Sequence, residues 1–181
     1  MNAQPCETPP SLIARQRLAL EMIDRGEPLA ETLTLLCHIV EAEAPSLVRA
    51  AILLVDADAA CLRTGAAPGL PDSYNRAVDG IGIAADVGTC AAAAALGRAV
   101  VTTDIDTDPG WVGLSHLPLG LGLQAAWSMP IKGNSGRVLG TFGTYFSERR
   151  RPTDLECDLV AVLAHTAAEA IERDRRGPAL S

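Results

Sequence analysis

The start of the last predicted helix is the most sharply defined boundary in the chain, and it constrains the whole fold. Residues 153–156 are Thr-Asp-Leu-Glu, a capping box in which the threonine and glutamate side chains each accept from the other residue's backbone amide. Projected at about 100° per residue, the apolar side chains of this helix cover an arc of roughly 200°. They are Leu155, Leu159, Val162, Leu163, Ala164, Ala167, Ala170 and Ile171. Since one sheet face needs a narrower arc, we predict that the helix packs on a sheet and also contacts a partner.

Two further helices are predicted at the other end of the chain. Apolar residues at helical spacing follow Ser11, which can cap the first helix, and lead to Gly26. The second helix covers 29–44 and is stopped by Pro45. The sequence therefore has helices at both ends.

Strands are predicted between these terminal helices. A nearly all-apolar segment at 47–55 is followed by an antiparallel partner at 61–67, and 138–146 forms a closing strand. Glycines in the closing strand indicate a bend or the close approach of another element. A short helix through 74–78 and an irregular glycine-containing loop at 80–88 complete this scaffold.

Any pocket chemistry is expected in residues 86–131, where a cysteine stands at a predicted helix start. Thr89 can cap a helix that begins with five alanines after Cys90 and ends at Gly97. Free amides and the positive end of the helix dipole favour a thiolate at Cys90. A buried cysteine is equally a small hydrophobic residue that packs beside alanines. The sequence leaves both interpretations open.

Both tryptophans of the chain also lie in this stretch. A strand rich in valine and threonine is predicted at 99–105, and the Asp-Pro pair at 108–109 opens a helix that carries Trp111. A further strand at 124–131 carries Trp127. A large apolar ring with one hydrogen-bond donor suits a partly enclosed organic ligand, although either ring can instead be a core residue.

The order and spacing of these pieces resemble the GAF domain, a small-molecule-sensing module of bacterial signalling proteins. The resemblance rests on GTCAAAAALGRAVVTTDIDTDPGW at 88–111, LGLQAAWSMPI at 121–131, GRVLGTFGTYF at 136–146 and RRPTDLE at 150–156. Many relatives have Gly-Thr after the cysteine, where this chain has Ala91-Ala92.

We predict an α+β fold in which a central, mostly antiparallel sheet carries the N- and C-terminal helices on one face and pocket-forming loops and helices on the other. Helices at both ends of a run of strands favour this class. The resemblance implies five or six strands, terminal helices that pair in a dimer bundle, and an opposite face that closes over a ligand.

The resemblance also implies a non-catalytic regulatory domain. It would bind an unidentified small molecule and pass occupancy through a homodimer of terminal helices to a downstream signalling domain or protein. The candidate ligand-binding residues are Cys90, Asp104, Trp111, Trp127 and Ser128. Aspartates around a proline turn, here Asp104, Asp106 and Asp108, are equally caps.

Three alternatives remain at this point. GAF proteins include free methionine-R-sulfoxide reductases, but no cysteine lies between Cys61 and Cys157 except Cys90, so the pocket stretch lacks a resolving thiol. Bilin, haem or flavin binding has no clear signal, because Cys90 is followed by alanine and His116 is a lone histidine. No cofactor or metal is therefore assigned. A dimerisation module with a closed pocket is the third alternative.

Composition limits the partners and the compartment. A hydrophobic fraction of 48% in 181 residues suits one domain, which we place at 11–175 between loose tails at 1–10 and 176–181. The net charge of −7 with only 15 basic residues argues against a nucleic-acid surface. Five cysteines without CxxC spacing indicate neither a disulfide framework nor a zinc site. Without a signal peptide or a membrane-spanning segment in the sequence, we expect a cytoplasmic protein with no membrane partner.

Overall fold

The computed structural model describes residues 11–44 and 46–177, which form an α+β fold. The helices are α1 (Leu12–Arg25), α2 (Leu29–Glu43), α3 (Asp72–Val78), α4 (Cys90–Leu96), α5 (His116–Leu119) and α6 (Asp154–Arg176). The strands are β1 (Val48–Asp56), β2 (Cys61–Ala66), β3 (Ile81–Gly82), β4 (Val100–Thr102), β5 (Ala125–Lys132) and β6 (Val138–Phe146). The predicted N-terminal tail, Pro45 and residues 178–181 lie outside the described residues.

The strands form one six-stranded sheet in the order β3-β2-β1-β6-β5-β4, and every neighbouring pair is antiparallel. The predicted fold class is therefore confirmed. Strand β3, only two residues long, was not predicted, because Ile81–Gly82 is too short to show an alternating pattern.

The terminal helices α1, α2 and α6 pack together on one face of the sheet. Their buried apolar residues share a core with inward-facing residues of the central strands, including Ile52, Trp127, Phe142 and Phe146. Helix α6 begins with the predicted capping box: Thr153 accepts from the Glu156 amide at 3.2 Å, and Glu156 accepts from the Thr153 amide at 2.8 Å. No helix in the described ranges is long and apolar enough to cross a membrane.

Some of the predicted excess apolar surface stays exposed on the terminal helices. Leu155 is 81% exposed and Val162 is 44% exposed, and the two lie seven residues apart on α6. Ile13 and Leu20 on α1 are 78% and 37% exposed with the same spacing. Residues seven apart lie on one side of a helix, so each helix presents an apolar stripe to the outside.

The opposite face of the sheet is covered by α3, α4, α5 and a 3-10 turn at Pro109–Trp111. These elements supply two smaller cores, one around Trp111 and Tyr145 and one around Leu62 and Cys90. The sheet thus separates a helical layer from a layer of short helices and loops.

Candidate functional site

A small cavity lies between the sheet and the layer of short helices and loops. Its volume is about 30 Å³, more than the roughly 10–15 Å³ that one water molecule needs. The central strands contribute Ala51, Leu53 and Tyr145 to its wall. The edge strand β3 contributes Ile81, and the overlying layer contributes Leu70, Tyr74, Asn75, Val78, Val87, Gly88, Thr89, Cys90, Ala91, Trp111, Leu114 and Leu117.

Trp111 forms part of the roof of this cavity, as the sequence predicts for a pocket wall. Its indole Nε1 donates to Thr102 Oγ1 at 3.1 Å, and the Thr102 hydroxyl donates to Asp108 at 2.8 Å. Asp108 also accepts from the Gly110 amide at 2.8 Å and caps the 3-10 turn. This relay holds the ring, which is 4% exposed, by anchoring it to the edge strand β4.

Two tyrosines stand beside Trp111, and sequence reasoning did not select either of them. The rings of Trp111 and Tyr145 meet edge to face with centroids 6.4 Å apart, and those of Tyr74 and Tyr145 do so at 6.0 Å. Burial raises the pKa of both tyrosines well above the ordinary value, so both hydroxyls are neutral at physiological pH. Tyr145 could have been selected from the sequence, because the alternation of β6 places its side chain on the same face as Gly143.

Cys90 lies at the start of α4 with its thiol against the sheet. The thiol sulfur is 3.0 Å from Ser128 Oγ, and Ser128 donates to Thr89 Oγ1 at 2.8 Å. Burial raises the pKa of the Cys90 thiol, and this effect outweighs the neighbouring hydroxyls that favour the thiolate. Cys90 is therefore a neutral thiol in this site, whereas its position at a helix start would by itself favour the thiolate.

Thr89 does not cap α4 as the sequence predicted. Its backbone is helical, with φ −94° and ψ −39°, and its side chain makes no capping hydrogen bond. The hydroxyl accepts from Ser128 instead. The predicted end of the helix is confirmed, since Gly97 adopts φ 65° in the left-handed region.

A glycine of β6 allows α4 to approach the sheet. A methyl group on Gly143 would lie 2.8 Å from Cys90 Sγ and 3.3 Å from Ser128 Oγ, closer than atoms in van der Waals contact. The close approach that the glycines of this strand indicated is present here.

Trp127 lies on the other face of the sheet, away from the cavity. It is 1% exposed in the core shared with the terminal helices, whereas the adjacent Ser128 faces α4. Successive residues of a strand point to opposite faces, so these neighbours could not both face the same pocket. The prediction that Trp127 stands at the pocket wall was wrong for this reason.

The remaining predicted polar residues do not line the cavity. Asp104 pairs with Arg149 at 3.3 Å and accepts from the Asp106 amide at 3.1 Å, which is a turn-stabilising role. Ser128 lies behind Cys90 and forms hydrogen bonds with the cavity residues Cys90 and Thr89. His116 is exposed at the start of α5. Within residues 11–44 and 46–177, no three His, Cys, Asp or Glu side chains are grouped to hold a metal ion.

Comparison with known proteins decides the family. The GAF domain family model matches residues 26–172. The chain belongs to the GAF domain family. Its fold agrees with solved GAF structures: it resembles the GAF domain of a phosphoenolpyruvate-protein phosphotransferase from Coxiella burnetii with a TM-score of 0.74, 16% identity, and coverage of 93% of this chain and 97% of that one.

Two other relatives bear on what a GAF domain of this kind does. The chain is 34% identical, over 93% of its length, to the methyl sulfide methyltransferase-associated sensor of Methanosarcina acetivorans, and it spans 17% of that protein. This relative supports a sensory role. The free methionine-R-sulfoxide reductase of Neisseria meningitidis, solved with its substrate, has a TM-score of 0.68 at 16% identity, covering 98% of this chain and 100% of that one. At that identity the likeness is one of fold.

Proposed function

We propose that this GAF domain is a non-catalytic sensory module, which binds a small molecule in the cavity and passes its occupancy to the terminal helices. The observation that carries the proposal is the position of β6 between the two layers. Tyr145 of this strand lines the cavity, while the neighbouring Thr144 and Phe146 pack towards the terminal helices. A ligand that displaces Tyr145 therefore acts on a strand that the helices also contact.

A short series of contacts leads from the end of β6 to the start of α6. The Arg150 guanidinium lies 3.7 Å from the centre of the Phe146 ring and donates to both carboxylate oxygens of Glu156 at 2.7 Å. Glu156 belongs to the capping box of α6. We propose that these contacts make the position of α6 dependent on the position of β6.

The proposed output is a change in the pairing of two copies through their terminal helices. A ligand can shift such an equilibrium only by the difference between its affinities for the two arrangements. The exposed stripes on α1 and α6 suit contact with a second copy, since buried apolar area favours association. In a longer sensor, such as the relative of which this chain spans 17%, this pairing would control a further domain.

Thiol catalysis is the alternative that the geometry supports less well. The likeness to free methionine-R-sulfoxide reductase is one of fold, and burial raises the pKa of Cys90, which keeps its thiol in the less nucleophilic form. We expect no turnover of free methionine-R-sulfoxide by the purified protein. Turnover that is lost in Cys90→Ser would overturn the non-catalytic assignment.

Native mass spectrometry of the purified protein tests ligand binding in the cavity. We expect a small additional mass on the wild-type protein, and its loss in Ala91→Leu, which fills the cavity. Ala95→Leu makes the same change at an exposed position one turn further along α4, outside the cavity lining, and should retain the mass. Thermal melts verify that both variants fold. A mass retained equally by both folded variants would place the ligand elsewhere.

Light scattering tests the proposed pairing. We expect a dimer that Val162→Glu weakens, because it puts a charge in the apolar stripe of α6. Ala161→Glu, exposed one residue away and about 100° around the helix, should weaken it less. A monomeric wild-type protein, with or without the copurified ligand, would refute the output through pairing.

A further inference from the structure

The cavity wall carries no formal charge. Among the residues that line it in the described part of the chain, none is an aspartate, glutamate, lysine, arginine or histidine. Asp108, which caps the turn that carries Trp111, is already engaged by Thr102 and Gly110. An ionised ligand placed here would lose its hydration without gaining a counter-ion, which strongly disfavours binding.

Most polar groups in the wall are committed to protein partners. The Asn75 amide donates to the carbonyls of Ala67 and Leu70 at 3.4 Å each. The Trp111 indole donates to Thr102. Three further polar side chains meet where Tyr145, on the floor formed by the sheet, lies beside Tyr74 and Cys90 of the overlying layer.

The rest of the wall is apolar. Leu53, Leu70, Leu114, Leu117 and Val78 are hydrocarbon side chains, and Trp111 presents its ring. The cavity volume of about 30 Å³ limits a ligand that fits without rearrangement to a few heavy atoms. A larger ligand requires movement of the partly exposed elements that carry Val78 and Leu117.

We infer that the ligand of this site is an uncharged molecule, with a compact apolar body under Trp111 and one hydrogen-bonding group that faces Tyr74 and Tyr145. This inference rests on the proposed sensory function and narrows it. It excludes cavity ligands with a phosphate, a carboxylate or an ammonium group, and hence free amino acids and nucleotides. Burial keeps the tyrosine hydroxyls and the Cys90 thiol neutral, since it raises the pKa of all three.

Three compounds of nearly equal shape test the charge of the ligand: isobutyramide, isobutyrate and isobutyramidinium. Binding is measured at pH 7 by two-dimensional NMR titration of the purified protein, with the tryptophan side-chain signals resolved. We expect isobutyramide to shift the Trp111 indole signal more than that of Trp127, which lies on the other face. The two ions should bind at least about 100-fold more weakly.

Two variants make the test specific to the cavity. Tyr145→Phe removes a hydroxyl at the polar end and should weaken isobutyramide binding about tenfold or less. Leu117→Lys places a cation at the partly exposed rim and should improve isobutyrate binding relative to wild type. Thermal melts verify that each variant folds.

The outcomes separate this inference from the proposed function. Binding of either ion within tenfold of isobutyramide overturns the inference and leaves the sensory proposal standing. If none of the three binds but a copurified small molecule is found, its charge at pH 7 decides: a neutral molecule supports the inference and an ion overturns it. If no compound binds and no additional mass is present, both the inference and the proposed function fail.

Discussion

Replacing Gly143 by alanine gives the sharpest test of how α4 rests on the sheet. The new methyl group would lie 2.8 Å from Cys90 Sγ, in a site where the cysteine residue is only 7% exposed and has little room to move. The backbone φ of Gly143 lies outside the left-handed region, so the substitution adds no backbone strain. Overpacking of this kind costs about 1–3 kcal/mol.

The loss of stability caused by Gly143→Ala depends on the Cys90 sulfur, and a double-mutant cycle isolates that dependence. Cys90→Ala alone should cost about 1 kcal/mol, since it removes one buried heavy atom of roughly methylene size. In the Cys90→Ala background, the methyl of Gly143→Ala occupies the space that the sulfur leaves. We therefore expect the double variant to be more stable than the sum of the single effects by about 1–2 kcal/mol.

Urea unfolding at equilibrium, followed by circular dichroism, measures all four proteins of the cycle. Gly140→Ala is the matched control on the same strand, because its methyl would collide with the backbone carbonyl of Leu53 rather than with a side chain. Cys90→Ala should not relieve that collision. Additive effects of Gly143→Ala and Cys90→Ala, within about 0.3–0.5 kcal/mol, would refute the packing described here.

Three further results are expected. Thr144→Val removes a buried hydroxyl that has no protein partner, so it should be neutral or stabilise the protein by up to about 1 kcal/mol. Thr102 is equally 3% exposed, but Thr102→Val breaks two hydrogen bonds and should cost about 1–3 kcal/mol. Equal losses of stability in thermal unfolding would contradict this difference. The hydrogen bonds from Arg150 lower the pKa of Glu156, so its contribution is present above the unfolded pKa, near 4.3, and is lost as pH falls through the folded pKa. The wild-type advantage in melting temperature over Glu156→Gln should accordingly vanish below that window, and an advantage that grows on acidification would have the wrong sign. Under native conditions, iodoacetamide should alkylate Cys90 more slowly than the half-buried Cys157, as resolved by peptide mass spectrometry; the reverse order would revive thiol chemistry.

The scaffold could be predicted from the sequence because its signals are local. The capping box at Thr153 and the left-handed glycine at Gly97 are set by neighbouring residues, and both are present in the structure. The apolar runs likewise predicted the strands, with β6 correct at both ends. Their assembly into one sheet then followed from the order of the elements.

The cavity was predicted less well, because its residues come together only in three dimensions. Tyr74 and Tyr145 are 71 positions apart and meet only once α3 packs on the sheet. Trp111 lines the cavity, and its contact with a ligand stays a prediction, whereas Trp127 lies on the other face of the sheet. Strand alternation could have separated Trp127 from Ser128, but which of the two faces carries the cavity depends on long-range packing.

Under the proposed function, the firmly capped start of α6 would let that helix act as a rigid lever. The Thr153 hydroxyl accepts from the Glu156 amide and Arg150 donates to the Glu156 carboxylate, so the first turn is held in place, and a shift there would tilt the whole helix rather than fray its end. With 23 residues, it is about 35 Å long. A rotation of about 5° at Asp154 would therefore displace the far end of the helix, at Arg176, by about 3 Å. A small change of angle at the first turn would thus become a displacement as large as an atom at the last turn.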